Sequence, residues 1–199
     1  SFPWHWGAKA GNLWRTTHDI MPFWKSVYMI YLRNIGLYKY AKPGAWNDPD
    51  MLEVGNGKLT YDQNVSHFSL WCMMNSPLIL GNDLRSMSEG VKKIITNKNL
   101  IAINQDALAM QAKRVKRGAI DVLAKPLADG GTAICFFNKT SHSAGISYNL
   151  NKLCSDDYVS LKAASSYALC DQWTGETLNT NGKLKLKLKK YQCKVYIIK

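Results

Sequence analysis

Cysteine is scarce, with five in 199 residues, too few and too scattered to staple a small domain that lacks a core. Five is also odd, so at least one thiol is unpaired within the chain, while a Cys154–Cys170 bridge in an oxidising compartment stays open on spacing alone. No run of eighteen apolar residues occurs, which excludes a membrane-spanning helix. The four histidines, His5, His18, His67 and His142, are too dispersed to suggest metal ligands, and no glycine-rich phosphate loop is present. Acidic residues are outnumbered, 14 against 26 Lys and Arg, for a formal net charge of +12. The opening Ser1-Phe2-Pro3-Trp4-His5-Trp6-Gly7 holds no leader pattern and reads as the inside of a loop. The chain is therefore expected to be processed or a piece of something longer, and its localisation is unknown.

What is present supports a sizeable core. The composition is 46% hydrophobic and 20% charged, which excludes a disordered or low-complexity protein. The length suits one large domain or two small ones. The first half reads β-α-β-α-β-α. An extended run at residues 12–17 precedes a helix from Pro22 to Ile35, with Phe23, Val27, Ile30, Tyr31 and Asn34 at helical spacing. A second run at Ala45-Trp46 precedes a helix opened by Thr60 and Gln63, a capping box. Leu78-Ile79-Leu80 is expected as a third, buried strand, followed by a helix from about Ser88. Three such units are a fragment of an eight-stranded (β/α) barrel.

From about Gln111 the pattern turns to short β runs: residues 119–127, 132–138, 144–150, 166–171, 183–190 and 193–198, with a hairpin at Ala128-Asp129-Gly130-Gly131. The expected fold class is α/β plus all-β. Residues 1–106 would be the C-terminal three βα units of a barrel, and 107–199 an antiparallel β-sandwich. Charge is concentrated in the second part, but Lys183-Leu184-Lys185-Leu186-Lys187-Leu188 alternates strictly, which puts leucines inward and lysines in water. Neither interleaved aromatics nor a nucleic-acid-binding signature accompanies it. The lysines read as a solvated strand face, not a nucleic-acid site.

The chemistry lies among the few acidic residues. Trp14-Arg15-Thr16-Thr17-His18-Asp19-Ile20 and Trp46-Asn47-Asp48-Pro49-Asp50-Met51-Leu52 each place carboxylates after a strand. The C-terminal strand ends of a barrel carry its active site, so both motifs point to one mouth. Aromatic faces and carboxylates together suit sugar recognition. Singly, each has a plain structural alternative: Asp19 a helix cap, Arg15 its ion-pair partner, Asp48-Pro49-Asp50 a turn.

The two motifs resemble glycoside hydrolase family 27, the α-galactosidases (melibiases). So do Pro43–Gly57 as a whole, Ser76–Arg85, Ile101–Asp106, Val122–Gly130 and Asp171–Gly175. The resemblance implies a (β/α)8 barrel followed by a β domain, cleaving terminal α-galactosyl units with retention, without cofactor or metal. It implies Asp19 as general acid/base, Arg15 as a substrate-binding arginine, and Asp50 and Met51 as pocket residues; Asp48 is not placed on the substrate. His18 stands where the family usually has Gly. The family's Lys-Tyr-Asp nucleophile motif has no counterpart here, so the isolated chain is expected to be inactive. The implied partner is a galactoside, with no nucleic acid and no membrane; a homo-oligomer is left open. Alternatives are an α-N-acetylgalactosaminidase or β-arabinopyranosidase of the same family, or a non-catalytic carbohydrate-binding fragment.

Overall fold

The computed structural model describes residues 2–199, which form two compact units, one through Ala112 and one from Lys113. In the first, a short helix α1 (Gly7–Ala10) leads into strand β1 (Leu13–Arg15), helix α2 (Trp24–Asn34), strand β2 (Trp46–Asp48) and helix α3 (Tyr61–Met73). Helices α4 (Glu89–Ile95) and α5 (Lys98–Asn104) close the unit. β1 and β2 are parallel and in register, Leu13 opposite Trp46 and Arg15 opposite Asp48, so α2 is the crossover of a βαβ unit. It buries Val27, Ile30, Tyr31 and Asn34 as its spacing predicts, but Phe23 caps it from outside and is exposed. The capping box forms, with the Gln63 N–H donating to Thr60 Oγ1 and the Thr60 N–H to Gln63 Oε1.

The third barrel strand is reduced to one parallel bridge, Leu52 to Leu80. Ile79 and Leu80 are exposed rather than buried. Burial of a parallel strand needs neighbours on both sides, and here a neighbour exists on only one.

The second unit contains β3 (Lys113–Lys116), β4 (Ile120–Pro126), β5 (Thr132–Asn138), β6 (Ala144–Asn149), β7 (Tyr167–Asp171), β8 (Thr177–Thr180), β9 (Lys183–Leu188) and β10 (Cys193–Ile198). Six strands form one sheet in the order β3-β4-β5-β10-β7-β8, and β6 pairs with β9 in a second. All pairings in this unit are antiparallel. Ile120, Val122, Ile134, Phe136, Leu169, Tyr196 and Ile198 from the wide sheet meet Tyr148, Leu184 and Leu188 from the narrow one in a single core. This is the expected sandwich. Lys183, Lys185 and Lys187 are exposed while Leu184 and Leu188 are buried. All five cysteines are free. Cys154 Sγ lies 3.6 Å from the Tyr167 hydroxyl and Cys170 Sγ faces the Gly175 carbonyl, so these two are not paired.

Candidate active site

The register of the parallel pair sets the site. Arg15 and Asp48 end their strands opposite one another, so the segments that follow, Thr16–Ile20 and Pro49–Leu52, leave side by side. They are sewn together. The Thr16 N–H donates to the Asp48 carbonyl at 2.8 Å and the Thr17 hydroxyl to the Pro49 carbonyl at 2.9 Å. The Thr16 hydroxyl also lies 2.8 Å from Asn34 Oδ1, which ties the end of α2 to the strand ends.

Three of the four expected site residues meet at one guanidinium. Arg15 Nη2 is 2.9 Å from Asp19 Oδ1 and 2.6 Å from Asp50 Oδ2. The two carboxylates differ in every other respect. The Asp50 side chain is 12% exposed, and its oxygens accept from Arg15, from the Ile20 N–H (2.7 Å) and from the Met51 N–H (2.8 Å). Its side chain is anchored, with both oxygens already accepting hydrogen bonds. The Asp19 side chain is 94% exposed, with Arg15 as its ion-pair partner. The fourth residue, Met51, lies against Gly81: a Cβ there would stand 2.9 Å from the Met51 sulfur and from the Leu52 carbonyl oxygen. The end of the Leu78–Leu80 run is thereby brought to the same mouth.

Asp50 has φ 90°, a conformation costly for a residue with a Cβ and found where surrounding contacts enforce it. Its N–H donates to Asp48 Oδ1 at 2.8 Å, and its carbonyl accepts from Trp71 Nε1 at 2.8 Å. One turn earlier on the same face of α3, His67 Nε2 accepts from the Glu53 N–H at 3.0 Å. The His67 and Trp71 rings meet edge to face, with centroids 4.1 Å apart. Complete burial lowers the His67 pKa to about 3, so the ring is neutral and Nε2 remains an acceptor. Burial pushes the Asp48 carboxyl up, against the lowering effects of the Asp50 N–H and the Arg15 charge.

Sequence reading quotes Asn47 within its motif and His67 among the dispersed histidines, but assigns neither of them, nor Trp71, a part in shaping the site. Asn47 Oδ1 accepts from Trp14 Nε1 at 3.1 Å, and its Nδ2 donates to Gln111 Oε1 at 2.9 Å, joining both strands to the chain leaving the unit. The available signal was polarity on an apolar face: His67 and Trp71 stand four apart among the apolar residues of α3, and both are buried. His18 is exposed beside Asp19. Among the described residues no three His, Cys, Asp or Glu side chains gather as metal ligands would.

Parallel strands ending in a carboxylate–arginine–carboxylate cluster are thus followed in the chain by an antiparallel sandwich. Residues 6–106 match the family model for α-galactosidase A, and residues 117–198 match that for the α-galactosidase C-terminal β-sandwich domain. The chain belongs to the α-galactosidase family, glycoside hydrolase family 27. It is 40% identical over 195 residues to α-galactosidase 2 of Arabidopsis thaliana, covering 97% of this chain and 48% of that protein. It is 42% identical over 134 residues to an α-N-acetylgalactosaminidase of Gallus gallus, covering 64% of this chain and 33% of that one. The solved structure of α-galactosidase I from Mortierella vinacea superposes with TM-score 0.91 at 26% identity, over 98% of this chain and 55% of that chain. The chain thus spans about half the length of the curated relatives it matches.

Proposed function

We propose that this chain forms part of a retaining α-galactosidase, residues 1–106 contributing to the catalytic barrel and 107–199 forming its β-sandwich. The observation that carries the reading is the Arg15 guanidinium held between Asp19 and Asp50 across two parallel strand ends. Asp19 is the general acid/base: it is exposed at the mouth, and its one side-chain partner among the described residues is an arginine able to turn to substrate. Arg15 orients a sugar hydroxyl while Asp50, locked by three donors, holds Arg15 in place. Asp50 and Met51 form the wall of the pocket.

A retaining mechanism needs a second carboxylate about 5–5.5 Å from the first, free to attack the anomeric carbon. Asp50 is unsuited to that role, since each of its oxygens already accepts a hydrogen bond. The 199 residues are therefore inactive by themselves, and the nucleophile comes from residues outside them. With nitrophenyl α-galactoside as substrate, the chain is expected to give no turnover. Fused to the N-terminal half of the Arabidopsis relative, it is expected to hydrolyse galactosides. In that fusion Asp19→Asn should lower kcat by about 10²–10⁴-fold. The loss should be larger for a disaccharide than for the nitrophenyl substrate, whose leaving group needs little protonation. Turnover by the unfused chain, or equal rates for the Asp19→Asn fusion, would remove these assignments. The 42% identity to an α-N-acetylgalactosaminidase makes that sugar the second substrate to test in the same assay.

A further inference from the structure

Asp50 and Met51, the wall of the proposed pocket, begin a short segment that ends at Glu53, and α3 holds both ends of it. Trp71 Nε1 donates to the Asp50 carbonyl at 2.8 Å, and His67 Nε2 accepts from the Glu53 N–H at 3.0 Å. The two side chains stand four apart, hence on one face of the helix, and both are fully buried. Their rings meet edge to face with centroids 4.1 Å apart, so they pack as one unit. Between these anchors the Leu52 N–H donates to the Ile79 carbonyl at 2.7 Å, and the Leu52 carbonyl accepts from the Gly81 N–H at 2.9 Å.

Packing alone accounts for neither polar group. With Nε2 accepting, the proton of the neutral His67 ring sits on Nδ1, and Nδ1 has no hydrogen-bond partner among the described residues. A buried donor left unpaired is a cost to the fold, one that an apolar side chain at this position would avoid. What the imidazole supplies, and an apolar side chain could not, is an acceptor for the Glu53 N–H. Trp71 is the counterpart. The indole N–H is its one side-chain donor, and it goes to the carbonyl of a residue at φ 90°, a conformation that persists only where surrounding contacts hold it.

The consequence reaches the mouth. Asp50 Oδ2 accepts from Arg15 Nη2 and from the Ile20 N–H, and its Oδ1 accepts from the Met51 N–H, so a shift of the Asp50 backbone carries Arg15 with it. We propose that His67 and Trp71 are positioning residues, a two-point clamp from α3 on residues 50–53. The clamp sets the placement of Arg15, Asp50 and Met51, and thereby the affinity of the site for the galactosyl unit of its substrate. Fully buried, neither His67 nor Trp71 touches that substrate. An anchor of this kind acts on the bound sugar in ground state and transition state alike. Its loss therefore raises KM and spares kcat, the reverse of the Asp19→Asn signature. The link to substrate rests on the glycosidase reading; the clamp itself does not.

Amide hydrogen exchange on the 199-residue chain tests the clamp. Trp71→Phe, which keeps a ring in the core and removes the N–H, should speed exchange at Ile20 and Met51 by about tenfold or more, with the interior amides of α3 and β5 unchanged. His67→Leu should do the same at Glu53, and His67→Gln, whose carboxamide oxygen can accept, should restore the original rate there. Unchanged exchange at Ile20, Met51 and Glu53, or equal acceleration throughout α3, would overturn the proposal. The fusion enzyme tests the effect on substrate, assayed below the Tm of every variant. Trp71→Phe and His67→Leu should raise KM for nitrophenyl α-galactoside by roughly 3–10-fold with kcat held within about threefold, and His67→Gln should return KM to the parent value. A fall in kcat at constant KM, or the same KM in His67→Leu and His67→Gln, counts against the positioning role. An inactive fusion removes the glycosidase reading instead, and the exchange rates then decide the clamp by themselves.

Discussion

Asp50 concentrates the residue-scale argument. Its positive φ and its three donors mean that its carboxylate does structural work for the whole mouth. Asp50→Ala should take from Arg15 one of its two carboxylate partners and leave the Ile20 and Met51 N–H groups without acceptors, costing about 2–4 kcal/mol, measured by urea unfolding. His67 imposes a pH dependence. Its folded pKa is about 3, against about 6.5 for an unperturbed imidazole, so between those values the unfolded chain takes up a proton that the folded one refuses. Its contribution is complete above pH 6.5 and falls as pH drops toward 3, by up to about 1.4 kcal/mol per pH unit. His67→Gln should flatten that part of the slope in unfolding midpoints followed from pH 7 to 4. Asn64-Val65-Ser66 and Asn138-Lys139-Thr140 match the glycosylation acceptor pattern, and the fold uses both asparagines. Asn64 Oδ1 accepts from the Gly55 N–H. Buried Asn138 donates to the carbonyls of His142 and Lys189 and accepts from Thr140. Mass spectrometry of folded protein secreted from a eukaryotic host should find both asparagines unmodified.

At the scale of elements, legibility followed locality. The helix opened by Thr60 was readable because its cap is made by residues three apart. Strands β4, β5, β6, β7, β9 and β10 were readable because each is bounded by turn residues and carries a run of apolar or alternating side chains. The two strands that escaped, β3 and β8, are the edges of the wide sheet. An edge strand needs no apolar period, and lysines there discourage further pairing, so Lys113–Lys116 looks like a charge cluster and Thr177–Thr180 like a loop. Leu78–Leu80 erred the other way, because an apolar run reports the capacity to be buried and not the presence of a cover. Turn geometry gives the sharpest element-scale test. Gly57 has φ +59°, and a Cβ there would stand 2.1 Å from the Pro22 carbonyl oxygen. Gly57→Ala must move backbone, and a loss of more than about 2 kcal/mol is expected in thermal or urea unfolding.

Across the whole molecule, exposed apolar side chains are unevenly shared. Of the twelve large ones among the described residues, eleven lie before Ala112, Leu13, Ile79 and Leu80 among them, and one, Leu178, lies after Lys113. A parallel strand pair without further neighbours leaves such residues in water, whereas the sandwich closes on its own core. The chain should therefore bind a hydrophobic dye such as anilinonaphthalene sulfonate while folded. Leu13→Thr with Ile79→Thr should reduce that fluorescence without lowering Tm, since neither side chain is buried. By itself the sequence determined the motifs around Arg15, Asp19, Asp50 and Met51, the alternating strands and the helix caps, because these depend on neighbours a few residues away. Only the tertiary structure decided that one arginine joins two carboxylates thirty-one residues apart and that Asp50 is held in a strained backbone by α3. Those outcomes depend on strand register and on which surfaces find a partner, and neither is written in local spacing.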